Sequence, residues 1–294
     1  MKKLILKGCG TALLTPFKSD GSLDIQAFAA TVDRQVKAGI HFLVPLGTTG
    51  ETPCLSSEER IEVLKTAKAH AAGRPVVVGG GTNSLEGTVA SMKELEPYGP
   101  DAFLIVVPYY NKPTQEGQYR YFKAVAAATE KPIIIYNVPG RTGANIEAST
   151  VLRLAREVPN IVAVKEASGR YSQISEIIAG APEGFSVLSG NDDETLSLMA
   201  TGASGVISVA SNVAPAEMVA LTEALLADNM AEARRLHHKL SPLFRNLFIE
   251  SNPIPGKYAC HKLGLMENAL RLPLVPASAK TEEVMDQTLA ELWK

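Results

Sequence analysis

The chain has 294 residues, 46% of them apolar and 20% charged, and its 29 basic and 31 acidic side chains give a formal net charge of -2. That length can bury a large core as one big α/β barrel or two smaller domains, and the balanced charge, without a long like-charge run, gives no footprint for nucleic acid. Three scattered cysteines (Cys9, Cys54, Cys260) and five histidines, without ligand spacing apart from the adjacent His237-His238, argue against a disulfide framework or structural zinc, and no apolar run approaches membrane-spanning length.

The N-terminal run Met1-Lys-Lys-Leu-Ile-Leu-Lys7 starts basic, but its apolar stretch is too short for a signal peptide and is soon broken by Gly8 and Gly10. A reduced, cytoplasmic protein is expected. Short β-branched runs then alternate with amphipathic stretches. The strand-like runs are Gly10–Pro16, His41–Pro45, Pro75–Gly79, Ala102–Pro108, Pro132–Asn137, Ile161–Lys165, Phe185–Ser189 and Gly205–Ser208. They recur at intervals of roughly 20 to 35 residues, the length of a βα unit. The first is followed by a 3.6-period pattern through Ile25, Phe28, Ala29, Val32 and Val36, which Asp24 can cap and Gly39 ends. After the second, Ser56-Ser-Glu-Glu-Arg60 is a helix start with acids in its first turn, and the pattern continues through Ile61, Leu64 and Ala67.

Eight such repeats with near-continuous apolar strands predict an α/β fold, a closed (β/α)8 TIM barrel over residues 1–227. A doubly wound open sheet is the alternative. It usually has fewer strands, and no Gly-x-Gly-x-x-Gly follows the first strand here; Gly79-Gly-Gly81 follows the third with the wrong spacing. After Leu225 the strand pattern stops. Helical patterns at Met230–Phe248, Lys257–Leu265 and Thr281–Lys294, separated by Asn252-Pro-Ile-Pro255 and Leu272-Pro-Leu-Val-Pro276, predict a small all-helical C-terminal domain over 228–294. Its expected role is packing or subunit contact.

Side chains at the C-terminal ends of barrel strands face the site in folds of this kind. Lys165 closes the apolar run Asn160-Ile-Val-Ala-Val-Lys165 and leads into Glu166-Ala-Ser-Gly169. Residues two apart on a strand share a face, so Lys165 and small Ala163 point into the crowded barrel while Val162 and Val164 point at the helices. Desolvation disfavours a buried ammonium, and a free amine attacks carbonyls. A lysine that emerges from the strand end into water is the bland alternative, and its neighbours decide between the two. Tyr136, in phase with Ile134, holds the matching position on the preceding strand, where a phenol can shuttle protons while a carbinolamine forms and collapses; a tyrosine that only packs is the competing view.

The second strand runs into Leu46-Gly-Thr-Thr-Gly-Glu51, a tight turn whose N–H groups and hydroxyls can hold a carboxylate. The fourth ends in Pro108-Tyr-Tyr-Asn-Lys-Pro113, whose adjacent Tyr109 and Tyr110 point opposite ways, one toward the site and the other toward an interface. Arg141, in Val138-Pro-Gly-Arg-Thr-Gly143, sits in a loop where its fork can clamp a carboxylate, or is a surface arginine. Cys54, close to the threonine turn, reads as a spacer. One lysine, one or two tyrosines, a threonine turn and an arginine, with no metal ligands, suit cofactor-free Schiff-base chemistry on a keto acid.

Together these segments resemble the dihydrodipicolinate synthase / N-acetylneuraminate lyase family of class I pyruvate aldolases over nearly the whole length. The resemblance rests on Gly47-Thr-Thr-Gly-Glu51, Pro108-Tyr-Tyr-Asn-Lys-Pro113 with Gln115-Glu-Gly117, Tyr136-Asn-Val-Pro-Gly-Arg-Thr-Gly143, Lys165-Glu-Ala-Ser-Gly169, Ser189-Gly-Asn-Asp192 and Gly205-Val-Ile-Ser208. It implies a barrel with a helical C-terminal domain, assembled as a homotetramer of tight dimers. It implies Lys165 as the Schiff-base lysine, Tyr136 as proton donor and acceptor, and Thr48 as a relay to a tyrosine of the dimer partner that matches Tyr110. Thr49 would hold the pyruvate carboxylate, with Ile207 and Gly190 among the substrate contacts. The run around Arg141 looks like the synthase branch, in which this arginine binds the carboxylate of aspartate semialdehyde on the way to diaminopimelate and lysine. Another pyruvate-dependent aldolase, acting on a sugar acid or 4-hydroxy-2-oxoglutarate, and a non-catalytic barrel that binds a small acid remain the alternatives. In lysine-inhibited relatives, two histidines align with Ser57 and Arg60 here and a glutamate aligns with Gly87, although Asn83 and Tyr109 remain, so inhibition by lysine is expected to be weak or absent.

Overall fold

The computed structural model describes residues 4–294, so the basic start Met1–Lys3 lies outside the described residues. Within them each of the eight predicted runs holds one strand: β1 (Gly8–Ala12), β2 (Phe42–Val44), β3 (Val77–Gly79), β4 (Ala102–Val106), β5 (Ile133–Asn137), β6 (Ile161–Glu166), β7 (Ser186–Ser189) and β8 (Gly205–Ser208). β1 begins earlier than expected because Gly8 and Cys9 pair with Gly205 and Val206 on β8, and it ends earlier, with the Leu14 amide taken by the Asn212 side chain at 3.1 Å.

The strands lie in the order β2-β1-β8-β7-β6-β5-β4-β3, and their pairings are parallel. The two ends meet where Leu43 N donates to Pro75 O at 2.9 Å and Gly79 N donates to Pro45 O at 3.1 Å, which closes the barrel. Gly79 makes that approach possible, since a Cβ there would lie 1.7 Å from Leu46 O.

The strands alternate with an outer ring of helices: α1 (Ile25–Lys37), α2 (Ser57–His70), α3 (Leu85–Leu95), α4 (Gln115–Ala127), the short α5 (Pro139–Thr142), α6 (Ala148–Glu157), α7 (Tyr171–Gly180), α8 (Thr195–Ala200) and α9 (Pro215–Leu226). The starts of α1 and α2 follow the capping chemistry in the sequence. Asp24 accepts from Ala27 N at 3.0 Å, and Ser56 and Glu59 form a reciprocal capping box on α2, each cap stabilising its helix by about 1 kcal/mol.

Two apolar layers result. Leu104, Ile134, Ala163, Leu188 and Ile207 fill the barrel interior, while Ile105, Ile133, Ile135 and Val164 face Leu64, Phe122 and Val151 on the helices. One expected direction is wrong. Val162 joins the interior layer beside Ala163 instead of facing the helices with Val164. Ile133 pairs with Ile161 and Ile134 with Ala163, so Val162 is an extra residue and the alternation resets there. From Ala163 onward the phase holds, and Lys165 faces inward.

After the barrel come α10 (Met230–Asn246), α11 (Ile254–Lys262) and α12 (Ala279–Leu292). α10 packs on α9, and α12 packs on α10 and α11. No helix among the described residues is long and apolar enough to cross a membrane.

Candidate active site

Tyr136 and Lys165 are register partners on β5 and β6. Parallel pairing places their side chains side by side at the strands' C-terminal ends, and the Lys165 ammonium nitrogen lies 4.3 Å from the Tyr136 ring centroid. Lys165 is only 6% exposed. Gly190, just past β7, leaves it room: a Cβ there would meet Lys165 Cε at 3.1 Å and Ala167 Cβ at 2.7 Å. The Gly190 amide also donates to Glu166 O at 2.6 Å, which ties the loop down beside the lysine.

Across the mouth, Thr48–Gly50 forms one turn of 3-10 helix. Leu46 (φ 58°) and Glu51 (φ 50°) take left-handed backbone on either side of it. Such conformations cost non-glycine residues about 1 to 3 kcal/mol each and persist only where surrounding contacts impose them. The amides of Gly50 and Glu51 are used within the turn, by Gly47 O and Thr48 O. Those of Thr48 and Thr49 have no acceptor among the described residues, as expected of the first donors of a helical turn.

These pieces line a small cavity of about 50 Å³. Lys165, Tyr136, Thr48, Thr49, Arg141 and Gly190 all line it, so six of the predicted site residues converge. Ile207 is fully buried in the interior layer on β8, beneath the mouth. Tyr110 is elsewhere. Its side chain is 87% exposed and its backbone is left-handed (φ 74°), so its ring is not part of this chain's own cavity.

Among the lining residues not predicted are Phe248 and Asn252, from the segment between α10 and α11. Asn252 Nδ2 donates to Thr49 Oγ1 at 3.0 Å, and Asn252 O accepts from Arg141 Nη2 at 3.3 Å. The Oδ1 of Asn252 is buried with no partner among the described residues. The C-terminal helices therefore do more than pack, because their connecting segment forms part of the cavity wall. The sequence offered Asn252-Pro-Ile-Pro255 only as a joint, and nothing local ties it to a threonine 203 positions away.

The buried charges behind the mouth have separate arrangements. Burial raises the Asp192 carboxyl above the usual carboxylate range, opposed by hydrogen bonds from Ser208 and from the Ala210 and Val209 amides and by the charge of Lys165. Burial likewise raises Glu166, which lies on the opposite face of β6 from Lys165 and accepts from Ser168 Oγ at 2.7 Å and Asn137 Nδ2 at 2.9 Å. Burial and then Glu51 push the Cys54 thiol up, which disfavours a reactive thiolate. An amine and a phenol in contact within a small cavity, facing free amides and an arginine fork, can bind a keto acid and move protons at its carbonyl.

Comparison with known proteins gives the same picture. The model of the dihydrodipicolinate synthetase family matches residues 5–292. The chain is 49% identical over 288 residues to the 4-hydroxy-tetrahydrodipicolinate synthase of Koribacter versatilis, covering 97% of this chain and 96% of that one. The crystal structure of dihydrodipicolinate synthase from Thermotoga maritima superposes with a TM-score of 0.96 at 44% identity, covering 99% of each chain. A structure described as the first monomeric dihydrodipicolinate synthase variant also superposes at 0.96 and 44% identity, over 98% of this chain and 97% of that one.

Proposed function

The chain belongs to the dihydrodipicolinate synthetase family, and we propose that its cavity condenses pyruvate with L-aspartate 4-semialdehyde, the reaction of a 4-hydroxy-tetrahydrodipicolinate synthase. The observation that carries this reading is the Lys165 amine, sequestered against the Tyr136 ring inside a cavity that also holds Thr48, Thr49 and Arg141. Lys165 Nζ attacks the ketone carbon of pyruvate. Tyr136 moves the protons as the carbinolamine loses water to give an iminium. The iminium withdraws electrons, a methyl proton leaves, and the resulting enamine carbon adds to the aldehyde. Water then adds to the iminium carbon and the bond to Nζ breaks, which frees the adduct and returns Lys165 as the amine.

Thr49 and its neighbour's free amide hold the pyruvate carboxylate in this reading, with Gly190 and the backbone of Ile207 completing the pocket. Arg141 grips the carboxylate of the second substrate from the rim. Thr48 stands between Tyr136 and the next proton carrier, and Tyr110 of a neighbouring copy is that carrier. The exposure of Tyr110 and its absence from the lining of the chain's own cavity support a dimer, two of which make the tetramer, in a cytoplasmic biosynthetic enzyme. The barrel over 1–227 and the helices over 228–294 work as one catalytic unit, because Asn252 touches both Thr49 and Arg141.

Borohydride reduction in the presence of pyruvate, followed by peptide mass spectrometry, tests the reading. The expected result is one pyruvate-derived adduct, on the Lys165 peptide; its absence would leave a non-catalytic acid-binding barrel. Arg141→Ala sorts the substrates. It should raise the KM for aspartate semialdehyde at least about tenfold and leave adduct formation intact, whereas faster turnover of a sugar acid or 4-hydroxy-2-oxoglutarate by the parent protein would move the assignment to another aldolase.

A further inference from the structure

Lys257, on α11, has no part in the reaction proposed above, yet its side chain is fully buried. Its Nζ meets Glu51 Oε1 at 2.5 Å, donates to Ala269 O at 2.7 Å, and lies 4.0 Å from the Phe17 ring centroid. Glu51 also accepts from the Arg271 amide at 3.2 Å. Burial pushes the Lys257 pKa down to about 8, against the opposing pull of Glu51. The anion beside it is what keeps a cation there.

Glu51 is the last residue of the threonine turn and one of its two left-handed positions. Just upstream of Lys257, Asn252 bonds Thr49 in the same turn. Two links therefore run from one C-terminal segment to one turn: Asn252 to Thr49, and Lys257 to Glu51. A buried ion pair is a poor way to gain stability, since apolar residues of similar volume usually do as well. What it supplies is direction, and it supplies it at a backbone conformation that neighbouring contacts must impose.

We propose that Lys257 is a positioning residue, whose ion pair with Glu51 fixes the Gly47–Glu51 turn and thereby the grip of Thr48 and Thr49 on the keto acid. The inference rests on the reaction proposed above. Lys257→Met should raise the KM for pyruvate at least about tenfold while the KM for aspartate semialdehyde, gripped by Arg141, stays within about twofold. The pair variant Glu51→Gln/Lys257→Met removes both charges, so no carboxylate is stranded. It should fold and still show the raised pyruvate KM, with faster amide exchange at Gly50 and Glu51 than in the parent and unchanged exchange in the barrel strands. If Lys257→Met does not fold, the pair variant decides. Parental pyruvate KM in the pair variant, a parallel rise of both KM values, parental exchange in the turn, or failure of the pair variant to fold would each overturn the proposal. Absence of a Lys165–pyruvate adduct in the parent protein would overturn the reaction instead, and the exchange comparison alone would then judge the turn.

Discussion

Two lysines of this chain sit out of water against aromatic rings, and they differ in what else they touch. At the barrel mouth, Lys165 lies 4.3 Å from the Tyr136 centroid, with no carboxylate in ion-pair range among the described residues. At the seam with the C-terminal helices, Lys257 lies 4.0 Å from the Phe17 centroid with Glu51 at 2.5 Å. Burial and a ring face are common to both, so neither identifies a reactive amine; the counter-ion does. The carboxylate next to Lys165 in sequence is kept away by strand geometry, since alternation turns Glu166 to the far face, among Ser168, Asn137 and Gln173. A one-residue slip of β6 would put a glutamate in the cavity and the lysine behind it.

Lys165→Met should produce the largest effect, a fall in kcat of about 10⁴-fold or more in a coupled semialdehyde assay, with the circular dichroism of the parent. Near-parental turnover would remove the distinction between the two lysines. Stability should separate them in the opposite sense. Urea unfolding should show Lys257→Met losing about 3 kcal/mol, because it strands a buried carboxylate, and Lys165→Met losing less than about 1 kcal/mol, because it breaks no ion pair. Equal losses would mean that the counter-ion does not matter.

A smaller effect concerns Glu166. Its carboxyl stays protonated in the fold above the pH at which it ionises in the unfolded chain. Between those two pKa values the native state holds the extra proton, so this group makes stability decline as pH rises and become level above its folded pKa. Glu166→Gln should remove that decline, seen as a variant whose stability relative to the parent improves from acid toward neutral pH; a constant difference would count against it. The smallest expected effect is none at all: millimolar L-lysine should leave steady-state rates nearly unchanged. Arg60 is engaged with Glu94 at 3.5 Å and with Ser91, and position 87 carries no carboxylate. Strong inhibition would show that an ammonium can be held there without an anion.

Much of this was readable before any coordinates. The alternation Ile134/Tyr136 and Ala163/Lys165 places phenol and amine on one face, and the register confirms them as neighbours. The caps at Asp24 and Ser56 were equally plain, because their partners lie within one turn. Val162 was not, since a bulge depends on how two strands pair and leaves no mark in one strand's pattern. Asn252 was missed for a related reason: periodicity reports only near neighbours, and its partner is on the opposite third of the chain. The cross-chain links that shape the cavity are the part that local pattern cannot encode.

Those links also set an order of events on the ribosome. The turn that carries Thr49 and Glu51 is made about 200 residues before Asn252, Lys257 and Arg271. At about 10 residues per second, roughly 20 s pass between the two during synthesis. Throughout that interval the nascent chain carries Glu51 while the lysine that pairs with it has yet to be made. The pocket reaches its final shape only after the segment from Asn252 to Arg271 has been made.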